Sequence, residues 1–336
     1  MTDKDPQHSP AIRWGILGAG HIAQRFAREV SAHTPSVIAA VGSRDARRAA
    51  SFAARFAIAD SYGSYDDLLA DDSLDAIYIA TPHGLHREHA LACLRAGKPI
   101  LVEKSFTLSA AQARDVFDLA RAKNLFVMEA MWSRFLPQYA RLRELVQGGD
   151  LGDLVTIQAA HLQSLDLRPG SRLIEPELGG GALLDLGVYP LSLFHWLCGV
   201  PQSIAARGVL ADTGVDLREA ILCRYGDTLA QAAVDADAPG RDWVQIVGTR
   251  GCLDVLDWFY TADAEVVLTL AGGGPRIVQR PVPGGFQYEA AEVARCLADG
   301  ALESASMTWD DTLAVMAMMD EVRAQVGVVY PGEVAA

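Results

Sequence analysis

Between Ile12 and about Met128, short apolar runs alternate with amphipathic stretches. In stretches such as "IAQRFAREV" and "ARRAASFAARF", apolar residues recur every three or four positions, which predicts helices. The apolar runs are rich in branched side chains, which predicts strands: "IRWGIL", "VIAAVG", "DAIYIA", "PILVE" and "LFVME". Their repeated alternation predicts an α/β domain with a doubly wound parallel sheet and helices on both of its faces.

The pattern changes after "RFLPQYARLRELVQGG". Strand candidates then follow one another closely, and turn signals separate several of them: "LVTIQAAHL", "SIAARGVL", "LREAILCRY", "WVQIVG", "CLDVLDW" and "EVVLTL". Close spacing favours antiparallel pairing, so this part is predicted to be an α+β domain with a largely antiparallel open sheet. Helices are predicted at 288–298 and 309–326, and the predicted domains are 1–130 and 131–336.

Composition indicates which kinds of partner and which cellular compartment to expect. The 336 residues carry a net charge of −13, which disfavours nucleic acid and anionic membranes as partners. The sequence has no run of about 18 apolar residues, and the beginning "MTDKDPQHSP" lacks the apolar core of a signal peptide, so neither membrane insertion nor export is expected. The five cysteines are scattered and no residues have metal-ligand spacing, which predicts reduced thiols, a cytoplasmic location and no metal site.

The stretch "GILGAGHIAQRF" contains a G-x-G-x-x-A motif formed by Gly18, Gly20 and Ala23. It follows a predicted strand and opens a predicted helix, which is the context of a Rossmann dinucleotide site. The glycines allow a tight turn, and the first helical amides, at His21 and Ile22, can then hold a pyrophosphate. This motif predicts dinucleotide binding.

The end of the second predicted strand, "VGSRDARRAA", bears on which dinucleotide is bound. NAD sites usually have an acid about 20 residues after the glycines, whereas a cation there accommodates a 2′-phosphate. Ser43 and Arg44 occupy this position, and Arg48 follows on the first helical turn. Asp45 is either a displaced ribose ligand or a helix N-cap, and the N-cap is favoured. NADP is therefore the expected cofactor, in preference to NAD.

Further motifs resemble, in order and spacing, the Gfo/Idh/MocA family of glucose-fructose oxidoreductase and inositol dehydrogenase. They are "GILGAGHIA", "IATPHGLHREHALACLRAGKPILVEKS", "MEAMWSRFLP" and "GGGALLDLGVYP". Within the family, the chain is most similar to the branch of dimeric dihydrodiol dehydrogenase and NADP-dependent D-xylose 1-dehydrogenase. The resemblance extends over nearly the whole chain.

The resemblance implies a catalytic set of Lys104, Asp185 and Tyr189. Lys104 matches the lysine of the family's E-K-P motif, and Asp185 and Tyr189 match its D-x-G-x-Y motif. On a helix, Asp185 and Tyr189 lie on one face. Tyr189 is expected to accept the substrate proton while Lys104 stabilises its phenolate and Asp185 orients the substrate or the lysine. The reverse assignment, with Lys104 as proton carrier and Tyr189 as positioning group, stays open.

The resemblance and the glycine motif together imply a set of cofactor-binding residues. Glu103 is expected to pair with the cofactor ribose or with Lys104. A solvated histidine is the alternative for His86, and packing at the domain border is the alternative for Trp132 and Arg134. The full predicted set is Gly18, Gly20, His21, Ile22, Ser43, Arg44, Arg48, Thr81, Pro82, His86, Glu103, Lys104, Trp132 and Arg134.

A few residues outside this set also carry expectations. Ser105 stands where the family has proline, and a non-proline cis bond costs about 2.5–4 kcal/mol, so a different loop geometry is expected after Lys104. His161 is expected to have a structural role. Arg168 and Arg172 are expected to be solvated, with a role in shaping the substrate pocket as the alternative.

The leading functional prediction is an NADP-dependent enzyme that transfers a hydride between nicotinamide C4 and a carbinol or carbonyl carbon of a sugar or trans-dihydrodiol. One alternative is a 3-ketoreductase of a nucleotide-linked deoxysugar. The other is a non-catalytic NAD(P)-sensing regulator, which has no need of a proton-transfer group. By the resemblance, the second domain binds substrate and forms a homodimer or homotetramer through the free face of its sheet.

Overall fold

The structure is a computed structural model that describes residues 5–333. Its α-helices are α1 His21–His33, α2 Ala46–Phe56, α3 Tyr65–Leu69, α4 His86–Arg95, α5 Ala110–Lys123, α6 Pro137–Gln147, α7 Val188–Cys198, α8 Phe286–Ala298 and α9 Trp309–Val326. Its strands are β1 Arg13–Leu17, β2 Val37–Gly42, β3 Asp60–Tyr62, β4 Ala76–Ile79, β5 Ile100–Glu103, β6 Val127–Ala130, β7 Leu154–Leu162, β8 Ser203–Leu210, β9 Asp216–Tyr225, β10 Thr228–Asp235, β11 Trp243–Gly248, β12 Gly251–Leu256, β13 Glu265–Leu270 and β14 Arg276–Gln279.

The described chain forms two compact units. The first contains the chain up to Thr107 together with Ala111–Trp132 and Gly284–Thr312. The second contains Leu108–Ala110, Ser133–Pro283 and the chain from Leu313 onwards. Helix α8 therefore belongs to the first unit although it follows the second sheet in sequence. The division into 1–130 and 131–336 stays a prediction.

The first unit contains the predicted doubly wound parallel sheet. Its strand order is β3-β2-β1-β4-β5-β6, and every neighbouring pair is parallel. The strand order reverses between β1 and β4, and in such sheets ligands bind at this switch point, outside the carboxyl ends of the strands. The segments that follow β1, β2, β4 and β5 line this edge, and they contain most of the predicted cofactor-binding residues.

An aromatic cluster supports the centre of this sheet. Phe26 of α1 stacks on Tyr78 of β4 with ring centroids 3.8 Å apart, and it meets Trp14 of β1 edge-on at 5.3 Å. Phe286 of α8 lies edge-on to Phe26 at 6.5 Å. All four side chains are buried. The glycine turn after β1 therefore rests on a closely packed core.

The second unit contains the predicted, largely antiparallel sheet. Its strand order is β14-β13-β12-β11-β7-β10-β9-β8. Strands β7 and β10 pair in parallel, and the other neighbouring pairs are antiparallel. The parallel pair differs from a simple meander because the long connection through α7 and the β8–β9 hairpin lies between its strands. Strand β10 is absent from the prediction because its buried positions include the small residues Ala230 and Ala232.

One helical segment of residues 5–333, Pro176–Cys198, is long and apolar enough by length and composition to cross a membrane. However, 78% of its most apolar window is buried inside the protein. Its apolar side chains therefore already pack against the second unit, as those of a core helix do.

Candidate active site

The turn after β1 has the backbone that a pyrophosphate cradle requires. Gly18 has a φ of +108°, and a Cβ at this position would lie 3.0 Å from the Ala80 carbonyl oxygen. Any other residue would be strained and crowded there. A Cβ on Gly20 would lie 3.7 Å from the same oxygen, which is an ordinary contact. Helix α1 begins at His21. The backbone amides of His21 and Ile22 therefore have no carbonyl acceptor within the helix, and they can donate to the oxygens of a diphosphate.

The end of β2 presents cations rather than an acid. The Asp45 carboxylate accepts hydrogen bonds from the amides of Arg47 at 2.9 Å and Arg48 at 3.3 Å, so Asp45 is the N-cap of α2, as favoured from the sequence. Ser43 is buried and its hydroxyl accepts from the Asp45 amide at 3.3 Å. Arg44 and Arg48 are exposed, which leaves their guanidinium groups available to an anion.

Two residues that the sequence did not single out lie beside Arg44. Burial raises the pKa of the Tyr65 hydroxyl, and the nearby charges of Arg44 and Arg48 reduce that rise without cancelling it. The Tyr65 ring meets the His89 ring at 4.9 Å, and His89 Nδ1 lies 3.0 Å from Thr81 Oγ1. Tyr65 and His89 thus connect the loops after β2 and β4. An aromatic residue in a polar helix start carries no pattern by which sequence analysis could find this contact.

A cationic cleft of about 400 Å³ opens beside the glycine turn. It lies between α1 and α2, and its lining is Ala19, Gln24, Arg47, Arg48, Ser51, Phe52 and Arg55. Arg55 donates to the Gln24 side-chain oxygen at 2.8 Å. The positive charge of the cleft suits the phosphates of a dinucleotide.

At the end of β5, Glu103 is buried and contacts two groups of the first unit. The Tyr78 hydroxyl donates to its Oε1 atom, and the Lys104 amide donates to Oε2 at 3.2 Å. The side chain of Glu103 thereby holds the backbone of the residue to which the resemblance assigns catalysis. Thr81 and Pro82 follow β4 at the same edge, and both are half-buried.

The turn after Lys104 is held by side chains from three other elements. His83 Nε2 lies 3.0 Å from the Lys104 carbonyl oxygen, and His86 Nδ1 lies 2.9 Å from that of Ser105. The Phe106 amide donates to Glu129 Oε1 at 3.1 Å. The peptide bond between Lys104 and Ser105 is cis, although no proline follows.

The ring of His86 is held by backbone carbonyls on both sides. Its side chain is fully buried, and its second ring nitrogen, Nε2, lies 2.7 Å from the Thr81 carbonyl oxygen. Both ring nitrogens therefore face backbone carbonyls, and the assignment of His86 as a cofactor contact stays a prediction. Burial lowers the pKa of His86 to about 4, so the imidazole is neutral near pH 7 and donates one N–H.

In the second unit, Asp185 and Tyr189 lie on one continuous helical segment. Asp185 belongs to a π-helical turn, Leu183–Gly187, and Tyr189 to α7, which follows directly. The sequence predicts an ordinary α-helix here, whereas the structure has a π-helical turn at Leu183–Gly187 before α7. Such turns occur frequently at functional sites. Both side chains are buried.

Asp185 forms an ion pair with Arg172. The Arg172 guanidinium donates from Nη2 to both carboxylate oxygens, at 3.1 and 3.2 Å. The Arg172 side chain is 45% exposed, as expected for a solvated loop, and its charge also neutralises Asp185. Arg168 pairs instead with Asp166 on the surface, and 85% of its side chain is exposed, as expected for a solvated loop.

Tyr189 lies in an aromatic group that fixes the position of its ring. The His161 ring centroid is 5.4 Å from that of Tyr189, and the Tyr260 ring centroid is 4.7 Å from it. His161 Nδ1 lies 3.0 Å from the Leu186 carbonyl oxygen, and its Nε2 lies 2.8 Å from the Gln163 amide nitrogen. This pattern suits a neutral imidazole that donates from Nδ1 and accepts at Nε2. His161 thus has the expected structural role, and it also contacts the proposed catalytic tyrosine.

Trp132 and Arg134 are both buried, each within its own unit. The Trp132 ring stacks on Phe286 at 5.0 Å, and the Arg25 guanidinium lies 4.5 Å from the Trp132 ring centroid. Arg134 donates from Nε to the Ser192 hydroxyl at 3.0 Å, which ties it to α7. Their assignment as cofactor contacts stays a prediction.

Lys104 belongs to the first unit, whereas Asp185 and Tyr189 belong to the second. Their joint action on one substrate therefore stays a prediction. Among residues 5–333, no group of three or more His, Cys, Asp or Glu side chains is arranged to hold a metal ion.

Comparison with protein families and curated proteins agrees with these motifs. Residues 12–131 match the Gfo/Idh/MocA oxidoreductase family with its NAD-binding Rossmann fold, and residues 139–254 match the C-terminal domain of the same family. A D-xylose 1-dehydrogenase (NADP(+)) from Hypocrea jecorina is 34% identical over 95% of this chain and 93% of its own length. A trans-1,2-dihydrobenzene-1,2-diol dehydrogenase from Xenopus tropicalis is 34% identical over 96% of this chain and its full length.

Solved structures show the same fold. A 3-ketoreductase from Actinomadura kijaniata, in complex with NADP and TDP-benzene, superposes with a TM-score of 0.85 at 26% identity, covering 94% of this chain and 98% of its own. An aldose-aldose oxidoreductase from Caulobacter crescentus has a TM-score of 0.85 at 22% identity, covering 94% of this chain and 98% of its own. The motifs, the two sheets and these matches together establish that the chain belongs to the Gfo/Idh/MocA oxidoreductase family.

Proposed function

We propose that the protein is an NADP-dependent oxidoreductase that transfers a hydride between nicotinamide C4 and a carbinol or carbonyl carbon of a sugar or trans-dihydrodiol. The observation that carries the proposal is the buried pair of Asp185 and Tyr189 on one helical segment. It occurs in a chain that is 34% identical over nearly its whole length to a D-xylose 1-dehydrogenase and to trans-dihydrodiol dehydrogenases.

The proposed mechanism needs a proton acceptor and a cation. When bound, NADP supplies the hydride acceptor for alcohol oxidation. Tyr189 accepts the hydroxyl proton at its phenolate oxygen, and Lys104 stabilises that phenolate. An isolated tyrosine has a pKa near about 10, so a neighbouring cation is needed for an efficient base near neutral pH. Asp185, neutralised by Arg172, orients a substrate hydroxyl.

NADP is preferred to NAD because cations occupy the end of β2. Asp45 is engaged as the N-cap of α2, which leaves Arg44 and Arg48 beside the ribose position. The Hypocrea jecorina relative is named for NADP(+), and the Actinomadura kijaniata structure contains NADP. The turn at Gly18 and the first backbone amides of α1, those of His21 and Ile22, would hold the diphosphate.

A 3-ketoreductase acting on a nucleotide-linked deoxysugar is the second candidate. It is favoured by the structural similarity to the Actinomadura kijaniata enzyme. Recognition of a sugar diphosphate requires free cations near the substrate, and Arg172 is already paired with Asp185. The sugar or diol substrate is therefore preferred.

The open face of the second sheet supports a homodimer or homotetramer. Leu222 of β9, Gln231 of β10 and Gln158 of β7 lie side by side by strand register. Leu229 and Leu256 are 45% and 43% exposed on the same face. The face combines exposed leucines with charged residues such as Arg224 and Asp254, and subunit interfaces likewise have apolar centres and polar rims. A cytoplasmic location, without nucleic-acid or membrane partners, completes the proposal and agrees with five free cysteines.

The activity is tested by following NADPH absorbance with a panel of aldoses, polyols, trans-dihydrodiols and a nucleotide-linked 3-ketosugar. Turnover is expected with NADP and D-xylose or a trans-dihydrodiol. Activity with the ketosugar alone would select the second candidate. Tight NADPH binding without turnover on any substrate would select the non-catalytic regulator.

Tyr189→Phe and Lys104→Met are each expected to lower kcat by about 10²-fold or more, the scale of a lost acid–base group. Neither change should alter NADPH affinity, measured by fluorescence titration. The variant of the true proton carrier also loses the corresponding limb of the pH–kcat profile, whereas the variant of a positioning group keeps it. An unchanged kcat in either variant removes that residue from the mechanism.

Arg44→Ala is expected to weaken NADPH by about 10- to 100-fold, because hydrogen bonds to charged groups contribute about 1.5–3 kcal/mol. NADH affinity should change little. Arg44→Lys should have an intermediate effect, since it keeps the charge without the planar fork. Arg121→Ala, an exposed arginine on α5, serves as control. Equal losses for NADPH and NADH would contradict a phosphate-binding role.

Leu222→Arg combined with Leu229→Arg is expected to reduce the oligomer to the 36.0 kDa mass of one chain in sedimentation equilibrium. Two buried charges would oppose association of the sheet face. Val37→Arg replaces an apolar residue of the first unit that is 52% exposed, and it should leave the mass unchanged. A parent protein that sediments as a single chain would contradict the proposed interface.

A further inference from the structure

A buried carboxylate reaches the start of the helical segment that carries Asp185 and Tyr189. Asp216, the first residue of β9, is 1% exposed, and its Oδ2 atom accepts a hydrogen bond from the Leu183 amide at 2.5 Å. Leu183 begins the π-helical turn, so its amide has no acceptor earlier in the helix. Asp216 therefore acts as an N-cap supplied by a different element.

The glycine-rich stretch before this helix leaves room for Asp216. Gly181 has a φ of +117°, and a Cβ on it would lie 2.2 Å from Asp216 Oδ1. The Gly181 amide donates to the Leu173 carbonyl at 2.9 Å, and the Tyr330 hydroxyl donates to the Gly180 carbonyl at 2.6 Å. The stretch is thus held from several sides, and glycine at 181 is what allows the carboxylate to reach Leu183.

A second acid, Glu219, is buried next to Asp216. The pairing of β8 with β9 shifts register between Val209 and Leu210, so Asp216 and Glu219 both point inward although they are three residues apart. Among residues 5–333, no hydrogen bond of ordinary geometry reaches the Glu219 carboxyl oxygens or Asp216 Oδ1.

The two acids divide one charge between them. Burial and the negative charge of Asp216 raise the pKa of Glu219 well above its ordinary value. Burial also raises the pKa of Asp216, and the hydrogen bond from the Leu183 amide opposes that rise. An N–H donor favours the charged form of a carboxyl group, so the charge of the pair is assigned to Asp216.

We propose that Asp216, with Glu219 buried beside it, is a positioning residue that fixes the helical segment bearing Asp185 and Tyr189. Burying a carboxylate is unfavourable unless its hydrogen bonds compensate, and apolar side chains of similar volume give equal or greater stability. The pair is therefore explained by the placement of the helix rather than by stability. The inference rests on the proposed catalytic roles of Asp185 and Tyr189.

Asp216→Ala is expected to lower kcat by about 10²-fold, the scale of a small misplacement of catalytic groups, with NADPH affinity unchanged. Asp216→Asn should recover part of the loss, since its amide oxygen can accept from Leu183. Glu219→Gln should stay near the parent kcat, because it keeps the size of the side chain and leaves the charge on Asp216. A large loss in Glu219→Gln with normal activity in Asp216→Asn would overturn the assignment of the charge.

Gly181→Ala tests the same contact from the other side. Its Cβ should displace the Asp216 carboxylate and lower kcat like Asp216→Ala. In the Asp216→Ala background, Gly181→Ala should cost only its positive-φ strain, so the two effects are less than additive. Gly214→Ala is the control, because Gly214 has a φ of +88° with no atom within 4 Å of its Cβ position. Full additivity of the two changes would overturn the proposed contact.

Hydrogen exchange of the peptide spanning 182–189 gives a readout that does not depend on substrate. Asp216→Ala and Gly181→Ala should both speed exchange there, while exchange in the first unit stays as in the parent. Unchanged exchange overturns the positioning role. Faster exchange with unchanged turnover on D-xylose leaves Asp216 as the anchor of the helix, and it overturns the proposed roles of Asp185 and Tyr189 instead.

Discussion

Backbone groups left unpaired at the ends of helices and strands need partners, and in this protein ionisable side chains supply several of them. Asp45 caps α2 at the end of β2. His83 and His86 face the carbonyls of the turn after Lys104. Asp216 accepts from the Leu183 amide. Each of these contacts fixes the backbone of a segment that carries a residue of the proposed site. The geometry of the site therefore depends on the hydrogen bonds made at the ends of these helices and strands.

Burial keeps the charge of one supporting group, His86, constant near neutral pH. It holds the pKa of His86 at about 4, so the imidazole is neutral at pH 7. His86 therefore does not titrate near neutral pH. The groups that contact substrate and cofactor are the ones whose charge is expected to change near neutral pH. A shift in the pKa of such a group changes the reaction rate.

Much of the fold follows from local pattern. Strand β7 has the bounds of its apolar run, and α9 has the bounds of its helical stretch, because each element buries one continuous face. The N-cap role of Asp45 also follows from its place before a helical run. Strand β10 is not predicted from the local pattern, because alanines rather than large apolar residues fill its inner face. The partner of Arg172 escapes it as well, since Asp185 lies thirteen residues away and no helical or strand period links the two.

The sequence by itself determined the class of each sheet, the glycine turn that fits a diphosphate, the cations after β2 and the family to which the chain belongs. These features depend on residues close together in the chain, where backbone conformation and periodicity are set. Only the tertiary structure decided that His86 is buried, that Arg172 neutralises Asp185 and that Asp216 caps the helix of Tyr189. Those contacts join residues on separate elements, and a register shift between β8 and β9 brings Asp216 and Glu219 together. Burial and long-range pairing are properties of the folded chain, so no local pattern encodes them.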